Sequence, residues 1–318
     1  MVPTGAQDAL IGWYHQHRRD LPWRQTRNPY KILVSEIMLQ QTQAERVVPK
    51  YHEFLRLFPT IEALADAPAS EVIRAWAGLG YNRRALNLQR ACRAVVERFE
   101  GSMPESVSDL LSLPGVGPYT AGAVACFAFE QDVGFVDTNI RRVLHRMLFG
   151  PEIPAPMATA REIDALAASM VPAARGYDWN QALMELGATV CRARSTECER
   201  CPVTEWCAST GMMQGAFGER ADTHGGKKSV PFEYTSRYFR GRIIDRLRHA
   251  PPPGLTAREL ALLINPGRDS GEPAWTTVYL AGLARDGLVV SETGGSREDS
   301  TAHDSQEPVD APRYRLPD

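Results

Sequence analysis

Apolar residues recur at intervals of three and four along the chain from Asp8 to about Leu148. This period is that of an amphipathic α-helix, and Pro and Gly residues divide the pattern into successive helices. We find no convincing alternation of apolar and polar positions, which would indicate a strand. A further helical stretch is predicted from Thr159 to Val190. The first 210 residues are therefore predicted to form a helical core.

Short polar side chains mark where several of these helices begin. Asp8, Thr60, Ser70 and Ser106 each stand at the start of an apolar periodic stretch. Such side chains accept hydrogen bonds from the free N–H groups of a helix's first turn. Each of these residues is therefore predicted to be an N-cap.

The chain changes character after residue 210. Residues 211–228 are rich in Gly and polar side chains, which indicates a linker that we extend to residue 233. The pattern beyond it predicts three helices and then two strands: Ser236–Arg248, Thr256–Ile264, Trp275–Asp286, Leu288–Ser291 and Tyr314–Leu316. This order indicates a winged-helix-like domain over 234–318, with a disordered insertion at about 293–310. Thr256 and Glu259 also have the spacing of a capping box.

The charge balance says little about partners. The 318 residues carry a formal net charge of -2, which does not by itself indicate a nucleic-acid-binding protein. The arginine pairs at 83–84 and 141–142 could form a phosphate-facing stripe, or they could be solvated surface. No stretch is long and apolar enough to span a bilayer, and the N-terminus lacks a signal-peptide pattern. A cytoplasmic protein without a membrane partner is therefore expected.

Most of the cysteines crowd into one short segment. Cys191, Cys198, Cys201 and Cys207 have the spacing C-x6-C-x2-C-x5-C. Four thiolates within one loop can surround a single metal centre. Disulfides are an alternative, although they are rare in a reducing intracellular setting, and four-cysteine sites also hold zinc. The segment is therefore predicted to bind an iron–sulfur cluster or zinc.

A glycine-rich turn, LPGVGPYTA at 113–121, separates two helical stretches. Gly115 and Gly117 allow the backbone to approach a phosphate, and the free N–H groups of the next helix would point toward that anion. A plain turn between two helices is the alternative. The segment is predicted to be a helix-hairpin-helix.

An aspartate follows about twenty residues beyond this turn. Asp137 closes an apolar run and opens a helix in the segment VDTNIRRV, so it is predicted to be an N-cap. The same carboxylate could face the cationic sugar that forms when a base leaves. The structural role and the functional role are compatible.

A glutamate occupies an unusually apolar helical face. Glu36 has apolar residues one turn before and after it, at positions 32, 33 and 39. This pattern predicts that it points into an apolar cleft. Burial would raise its pKa and make it a usable acid near neutral pH. A glutamate on the helix surface is the alternative.

These motifs appear in the order found in MutY-like DNA glycosylases. The segment around Glu36 with LQQT at 39–42, GLGY at 78–81, the glycine hairpin, VDTN at 136–139 and the cysteine loop follow one another in the first 210 residues. The chain resembles this branch of the helix-hairpin-helix superfamily, to which endonuclease III also belongs. The resemblance implies a mainly α, two-lobed glycosylase core with a 4Fe-4S cluster in the cysteine loop.

The resemblance also implies roles for individual residues. Glu36 would protonate a departing adenine, and Asp137 would stabilise the oxocarbenium-like sugar, with support from Tyr119 and Asn139. The implied partner is double-stranded DNA in which adenine is mispaired with 8-oxoguanine or guanine. Gln41 and Tyr81 match residues that wedge into the DNA stack, while the hairpin glycines would contact the DNA backbone.

The chemistry of base removal by itself calls for two carboxyl groups such as Glu36 and Asp137. A purine leaves deoxyribose only if it is protonated and the positive charge on the sugar is held, which calls for one carboxylic acid and one carboxylate. The target base must also be flipped out of the duplex. Glycosylases that cut the strand use an amine to form a Schiff base, and endonuclease III has a lysine where this chain has Tyr119. No lysine lies between Lys50 and Lys227, so efficient strand cleavage is not expected.

Two departures from the best-known MutY proteins leave alternatives open. Those proteins end in a Nudix-like domain that recognises 8-oxoguanine, whereas a winged helix is predicted here. Thr138 also stands where many of them have glycine. A mismatch thymine glycosylase of the same fold is the closest rival, and a non-catalytic iron–sulfur DNA-binding protein is a further alternative.

The C-terminal domain has two candidate partners. Its first helix carries Arg237, Arg240, Arg242 and Arg246, which favours DNA phosphates. A replication or repair protein docked on this domain is the alternative. The chain is expected to act as a monomer associated with the nucleoid.

Overall fold

The computed structural model describes residues 2–153, 155–217, 230–265, 274–292 and 311–318. Helices dominate these ranges, as the apolar period predicts. They are α1 (Thr4–His17), α2 (Pro29–Leu39), α3 (Ala44–Leu57), α4 (Ile61–Asp66), α5 (Ala69–Ala75), α6 (Arg83–Phe99), α7 (Val107–Leu111), α8 (Pro118–Phe129), α9 (Thr138–Leu148), α10 (Ala160–Ser169), α11 (Gly176–Thr189), α12 (Ser236–Leu247), α13 (Ala257–Ile264) and α14 (Ala274–Arg285). The short strands are β1 (Leu255–Thr256), β2 (Val290–Glu292) and β3 (Arg313–Arg315). Within the described ranges, none of the helices combines the length and the apolar character that a membrane span requires.

Polar caps begin several helices where the sequence predicts them. Thr60 and Ser106 each accept a hydrogen bond from a backbone N–H in the first turn of α4 and α7, both at 3.1 Å. Thr256 and Glu259 form the predicted capping box at the start of α13. These bonds satisfy N–H groups that have no partner inside the helix.

Two predicted caps are wrong. α1 and α5 begin earlier than predicted, so Asp8 and Ser70 lie inside these helices. Pro3 and Pro68 stand at the N-cap positions instead. The fixed φ of proline favours the extended conformation that precedes a helix, and this preference outweighs the cap signal.

The chain folds into two compact units. One combines Met1–Glu36 with Met103–Lys228, and the other combines Ile37–Ser102 with Ser229–Asp318. Each unit is built mainly from helices, which agrees with the two-lobed helical architecture that the resemblance implies. The domain boundaries predicted at residues 210 and 233 stay predictions.

In the first unit, α11 packs against α1, α8 and α9, while α7 packs against α8. A buried charge helps to fix the segment before α2. Glu185 of α11 is fully buried and accepts hydrogen bonds from Arg19 Nε at 2.8 Å and from Arg24 Nη2 at 2.7 Å. Paired in this way, the carboxylate ties residues 19–24 to the core.

In the second unit, α6 packs against α4 and α5, and the C-terminal helices α12, α13 and α14 pack against one another. The strands form an antiparallel sheet in the order β1-β3-β2. A shared apolar core joins the C-terminal helices to the earlier part of the unit, because Ile73 of α5 and Leu86 of α6 lie in the same cluster as Ile243, Leu247 and Leu280. This burial removes apolar surface of both parts from water.

The C-terminal elements follow the predicted order. The helices agree with the predicted ones to within one residue at each end, and the strands are shifted slightly along the chain. β1 was not predicted, because two residues are too few to show an alternating pattern. The predicted insertion at about 293–310 and most of the predicted linker lie outside the described residues.

Candidate active site

The predicted acid is buried in α2. Glu36 is 3% exposed, and Ile32 and Leu33 on the preceding turn are also buried. Burial is the largest influence on its pKa, which rises from 4.5 to about 7, and the negative charge of Asp137 adds to the rise. A hydrogen bond from Tyr119 opposes it. Glu36 can therefore hold a proton near neutral pH.

Tyr119 connects the glycine hairpin to this acid. It lies in the first turn of α8, and its hydroxyl donates a hydrogen bond to Glu36 Oε2 at 2.8 Å. Its ring packs edge-on against Phe135, with the ring centroids 5.4 Å apart. Burial and the nearby carboxylates raise the pKa of Tyr119 well above 10, so the phenol stays protonated. It is held as a hydrogen-bond donor that orients the carboxyl group of Glu36.

The hairpin itself joins α7 to α8. Gly115 has a φ of +76°, which is the left-handed region that favours glycine. Gly117 is the N-cap of α8, and a Cβ added there would meet nothing within 4 Å. The start of α8 is thus open, and the first N–H groups of a helix attract anions.

Asp137 is the predicted N-cap of α9. Its Oδ1 accepts a hydrogen bond from Ile140 N at 2.6 Å, and its Oδ2 accepts one from Asn139 Nδ2 at 2.9 Å. Burial raises the pKa of Asp137 above its ordinary value, and these two donors limit the rise because they favour the charged form. The site therefore joins a buried acid to a carboxylate that is held by donors.

An arginine ties this carboxylate to the cysteine loop. Arg142 donates hydrogen bonds to Asn139 Oδ1 at 2.9 Å, to the Gly187 carbonyl at 2.7 Å and to the Cys191 carbonyl at 2.9 Å. The sequence left phosphate contact and solvated surface open for Arg142, and the structure shows a partly buried side chain that is bonded within the chain. Its position three residues after Asn139 on one helical face is the signal that sequence reasoning missed.

The cysteine loop closes around one cavity, which is lined by Cys191, Cys198, Cys201 and Cys207. All four thiols are free, so the disulfide alternative is wrong. Arg146 is buried beside them, with Nη1 at 3.5 Å from Cys191 Sγ and an ion pair to Glu152 at 2.6 Å. Among the described residues, no group of three or more His, Cys, Asp or Glu side chains is arranged to hold a single metal ion.

Comparisons with known proteins show which family this chain belongs to. Residues 34–168 match the model of the HhH-GPD superfamily of base excision DNA repair proteins. An adenine DNA glycosylase of Mycolicibacterium smegmatis is 40% identical over 289 residues, which cover 90% of this chain and 93% of that protein. This chain belongs to the adenine DNA glycosylase family. The human adenine DNA glycosylase is 44% identical over 66% of this chain and 40% of its own length.

Solved structures show the same fold in this family's wider superfamily. A thermostable thymine-DNA glycosylase has a TM-score of 0.60 and 33% identity, covering 64% of this chain and 94% of that one. An endonuclease III bound covalently to DNA has a TM-score of 0.58 with 22% identity, covering 67% and 100%. The helix-hairpin-helix glycosylase architecture is therefore confirmed.

The predicted wedge residues of this family member lie in two turns of the second unit. Gln41 and Tyr81 both have positive φ, +56° and +46°, which is uncommon for residues other than glycine. Both side chains are exposed, and 39% of Tyr81 is accessible to solvent. Such backbone conformations persist only where the surroundings hold them.

One partly buried arginine holds both turns. Arg84 Nη1 donates to the Gln40 carbonyl at 2.5 Å and to the Met38 carbonyl at 3.0 Å. Its Nη2 donates to the carbonyls of Leu79 and Gly80, each at 3.1 Å. Burial lowers the pKa of Arg84 to about 10. Backbone carbonyls therefore occupy the guanidinium of Arg84, for which the sequence left phosphate contact and solvated surface open.

Proposed function

We propose that this chain is a monofunctional glycosylase that hydrolyses the N-glycosidic bond of adenine mispaired with 8-oxoguanine or guanine. The observation that carries the proposal is the pairing of a buried acid with a separate, hydrogen-bonded carboxylate. Glu36 has a pKa of about 7, whereas Asp137 is held by Ile140 N and Asn139. Groups with separated roles of this kind are what cleavage of a glycosidic bond requires.

The proposed reaction breaks the bond between a ring nitrogen of adenine and C1′ of deoxyribose. Glu36 gives its proton to the adenine, so that the electron pair of the broken bond leaves with a neutral base. Asp137 faces the positive charge on the sugar, and water then adds to C1′ and releases a proton. Tyr119 and Asn139 orient the two carboxyl groups through their hydrogen bonds.

Strand cleavage is not part of this proposal. Schiff-base formation needs an amine, and the chain has no lysine between Lys50 and Lys227. Tyr119 stands at the hairpin position that carries lysine in endonuclease III, and its hydroxyl is committed to Glu36. The abasic product would therefore stay uncut until alkali is added.

Each unit offers its own candidate contact for duplex DNA, the hairpin in the first and the two turns in the second. The open N-terminus of α8 beyond Gly115 and Gly117 suits a backbone phosphate. Gln41 and Tyr81 are exposed on turns that Arg84 holds by hydrogen bonds, which suits side chains that enter the base stack while the adenine is flipped out.

The cysteine loop fits a 4Fe-4S cluster. Four free thiols line one cavity, and the Arg146 guanidinium beside Cys191 would offset part of the negative charge of a thiolate-bound cluster. Such a group would cross-link residues 191–207. We expect purified protein to contain iron and inorganic sulfide, and Cys198→Ser to lower both. Zinc in place of iron and sulfide would contradict the cluster.

One assay tests the substrate. Purified holoprotein is incubated with end-labelled duplexes that hold adenine opposite 8-oxoguanine, adenine opposite guanine, or thymine opposite guanine, with and without hot alkali. We expect breaks only after alkali and only in the adenine duplexes, and we expect Glu36→Gln to slow their appearance by about 100-fold or more. Release of thymine would favour the rival glycosylase. Binding without release of any base would favour a non-catalytic DNA-binding protein.

A monomer at the nucleoid is the assembly that fits this proposal. Glu36, Tyr119 and Asp137 all belong to one unit of one chain, so no second copy is needed to complete the acid and the carboxylate. Light scattering of the purified protein, alone and with one duplex, checks the stoichiometry.

A further inference from the structure

A groove in the second unit is lined by residues of α12 and of the turn that carries Tyr81. Its charged lining residues are six arginines, among them Arg237 and Arg242, and two acids, Asp245 and Asp286. Both acids already have cationic partners. Asp286 pairs with Arg83 and Arg240, and Asp245 pairs with Arg248. The groove is thus strongly cationic in a chain whose formal net charge is -2.

Two arginines of α12 stand out among these cations. Arg237 has its guanidinium carbon 4.2 Å from the ring centroid of Tyr81 and 5.7 Å from that of Phe232, and it forms no ion pair with the described residues. Arg242 has a buried Nε without an acceptor in the described part of the chain. Arginine beside exposed aromatic rings is the combination that binds nucleic-acid strands.

The contact between Arg237 and Tyr81 has a consequence for DNA binding. An aromatic ring that enters a base step has bases against both of its faces. Arg237 covers one face of Tyr81 in this structure, so the guanidinium must leave when the ring is inserted. A DNA phosphate is the anion that duplex DNA offers beside any base step.

We propose that this groove binds the phosphodiester backbone beside the base step that Tyr81 enters, and that Arg237 transfers from the Tyr81 ring to a phosphate when DNA binds. The proposal rests on the wedge role of Tyr81 in the proposed function. It makes α12, and therefore the C-terminal part of the chain, a component of the DNA-binding surface. Charge complementarity selects DNA over a protein as the occupant.

The test measures how DNA affinity depends on salt. Fluorescence anisotropy of the full-length chain in a Glu36→Gln background, so that the base stays in place, gives Kd over a range of salt concentrations. Two duplexes are used, one undamaged and one with adenine opposite 8-oxoguanine. The variants are Arg237→Gln, Arg242→Gln, and Arg56→Gln as a control, since Arg56 is an exposed arginine of α3 outside the groove.

We expect Arg237→Gln and Arg242→Gln each to weaken binding about tenfold and to lower the slope of log K against log salt by about one unit on both duplexes. Arg237→Lys should restore the slope, because the charge is retained, and Arg56→Gln should change neither quantity. Unchanged slopes in both groove variants would overturn the proposal. In that case a protein occupant becomes the better interpretation of the groove.

A double-mutant cycle separates phosphate contact from simple packing against Tyr81. If Arg237 binds a phosphate, Arg237→Gln still lowers the slope when Tyr81 is replaced by Ala. If Arg237 only supports the ring, its effect disappears in that background and the proposal is overturned.

The excision assay distinguishes failure of this proposal from failure of the proposed function. Adenine release by the wild type together with unchanged slopes means that the groove proposal alone has failed. No base release, together with lowered slopes, means that the substrate proposal alone has failed.

Discussion

In the first unit the acid assigned to chemistry is buried, whereas in the second unit the side chains assigned to the DNA stack are exposed. Glu36 is 3% exposed, and burial is what raises its pKa to about 7. Tyr81 is 39% exposed, and Arg84 donates a hydrogen bond to the carbonyl of the preceding residue, Gly80. A proton donor needs desolvation, while a wedge needs exposure together with a rigid support. The first unit therefore removes its proton donor from water, whereas the second unit exposes its wedge side chain and uses hydrogen bonds to hold the backbone of the turn.

The largest expected effect separates chemistry from binding. Glu36→Gln removes the transferable proton and keeps the shape of the side chain, so single-turnover release of adenine should slow by about 100-fold to 10,000-fold. Its Kd for the duplex should stay close to that of the wild type. Tyr81→Ala should instead weaken binding of the duplex more than it slows the release of adenine. Anisotropy and quenched-flow assays on the same duplex give both numbers. Equal losses of binding in the two variants would erase the contrast.

A second pair of variants separates the charge of Asp137 from its structural role. Asn is as good an N-cap as Asp, so Asp137→Asn should keep stability, while Asp137→Ala should lower the free energy of unfolding by about 1 kcal/mol. Both should slow base release by about 100-fold or more, because neither holds a positive sugar. Urea unfolding and single-turnover rates measure the two effects. A normal rate for Asp137→Asn would show that the negative charge is not required.

The buried acid should also appear in the pH dependence of stability. The pKa of Glu36 is raised from 4.5 to about 7, so the folded state keeps a proton that the unfolded state loses in this range. The free energy of unfolding should therefore fall as pH rises through this window, by about 3 kcal/mol, and level off above it. Glu36→Gln should lack this component. Urea unfolding at pH 5 and pH 8 compares the two proteins, and the same pH dependence in both would contradict the assignment.

The smallest effect concerns the support of the turns. Lysine cannot reach the carbonyls that Arg84 bonds on both turns, so Arg84→Lys should lower the free energy of unfolding by about 1 to 3 kcal/mol and weaken binding of duplex DNA. Arg83→Lys is the matched control, since the Arg83 side chain is 64% exposed. Hydrogen exchange at residues 40–42 and 79–81 should quicken in the first variant alone. Equal exchange in both would mean that Arg84 does not hold the turns.

The arginine pairs have hydrogen-bond partners that the sequence pattern did not predict. Adjacent positions in the sequence suggested a common role for Arg83 and Arg84. Arg83 is exposed, however, whereas Arg84 donates hydrogen bonds to backbone carbonyls. Arg142 is likewise bonded within the chain, because it donates hydrogen bonds to Asn139 and to the Cys191 carbonyl of the cysteine loop. A guanidinium meets its acceptors wherever the chain returns in space, and these acceptors lie up to 49 residues away. A pattern of neighbouring residues therefore cannot predict these hydrogen bonds.

Local patterns by themselves determined the helical architecture, the caps at Thr60 and Ser106, the N-cap role of Asp137 and the burial of Glu36. These depend on periodicity and on short-range hydrogen bonds, which neighbouring residues specify. Only the tertiary structure decided the bond from Tyr119 to Glu36, the anchoring of both turns by Arg84, and the placement of α12 along an arginine-lined groove. Those features join segments that are distant along the chain, and folding alone brings them within reach of one another.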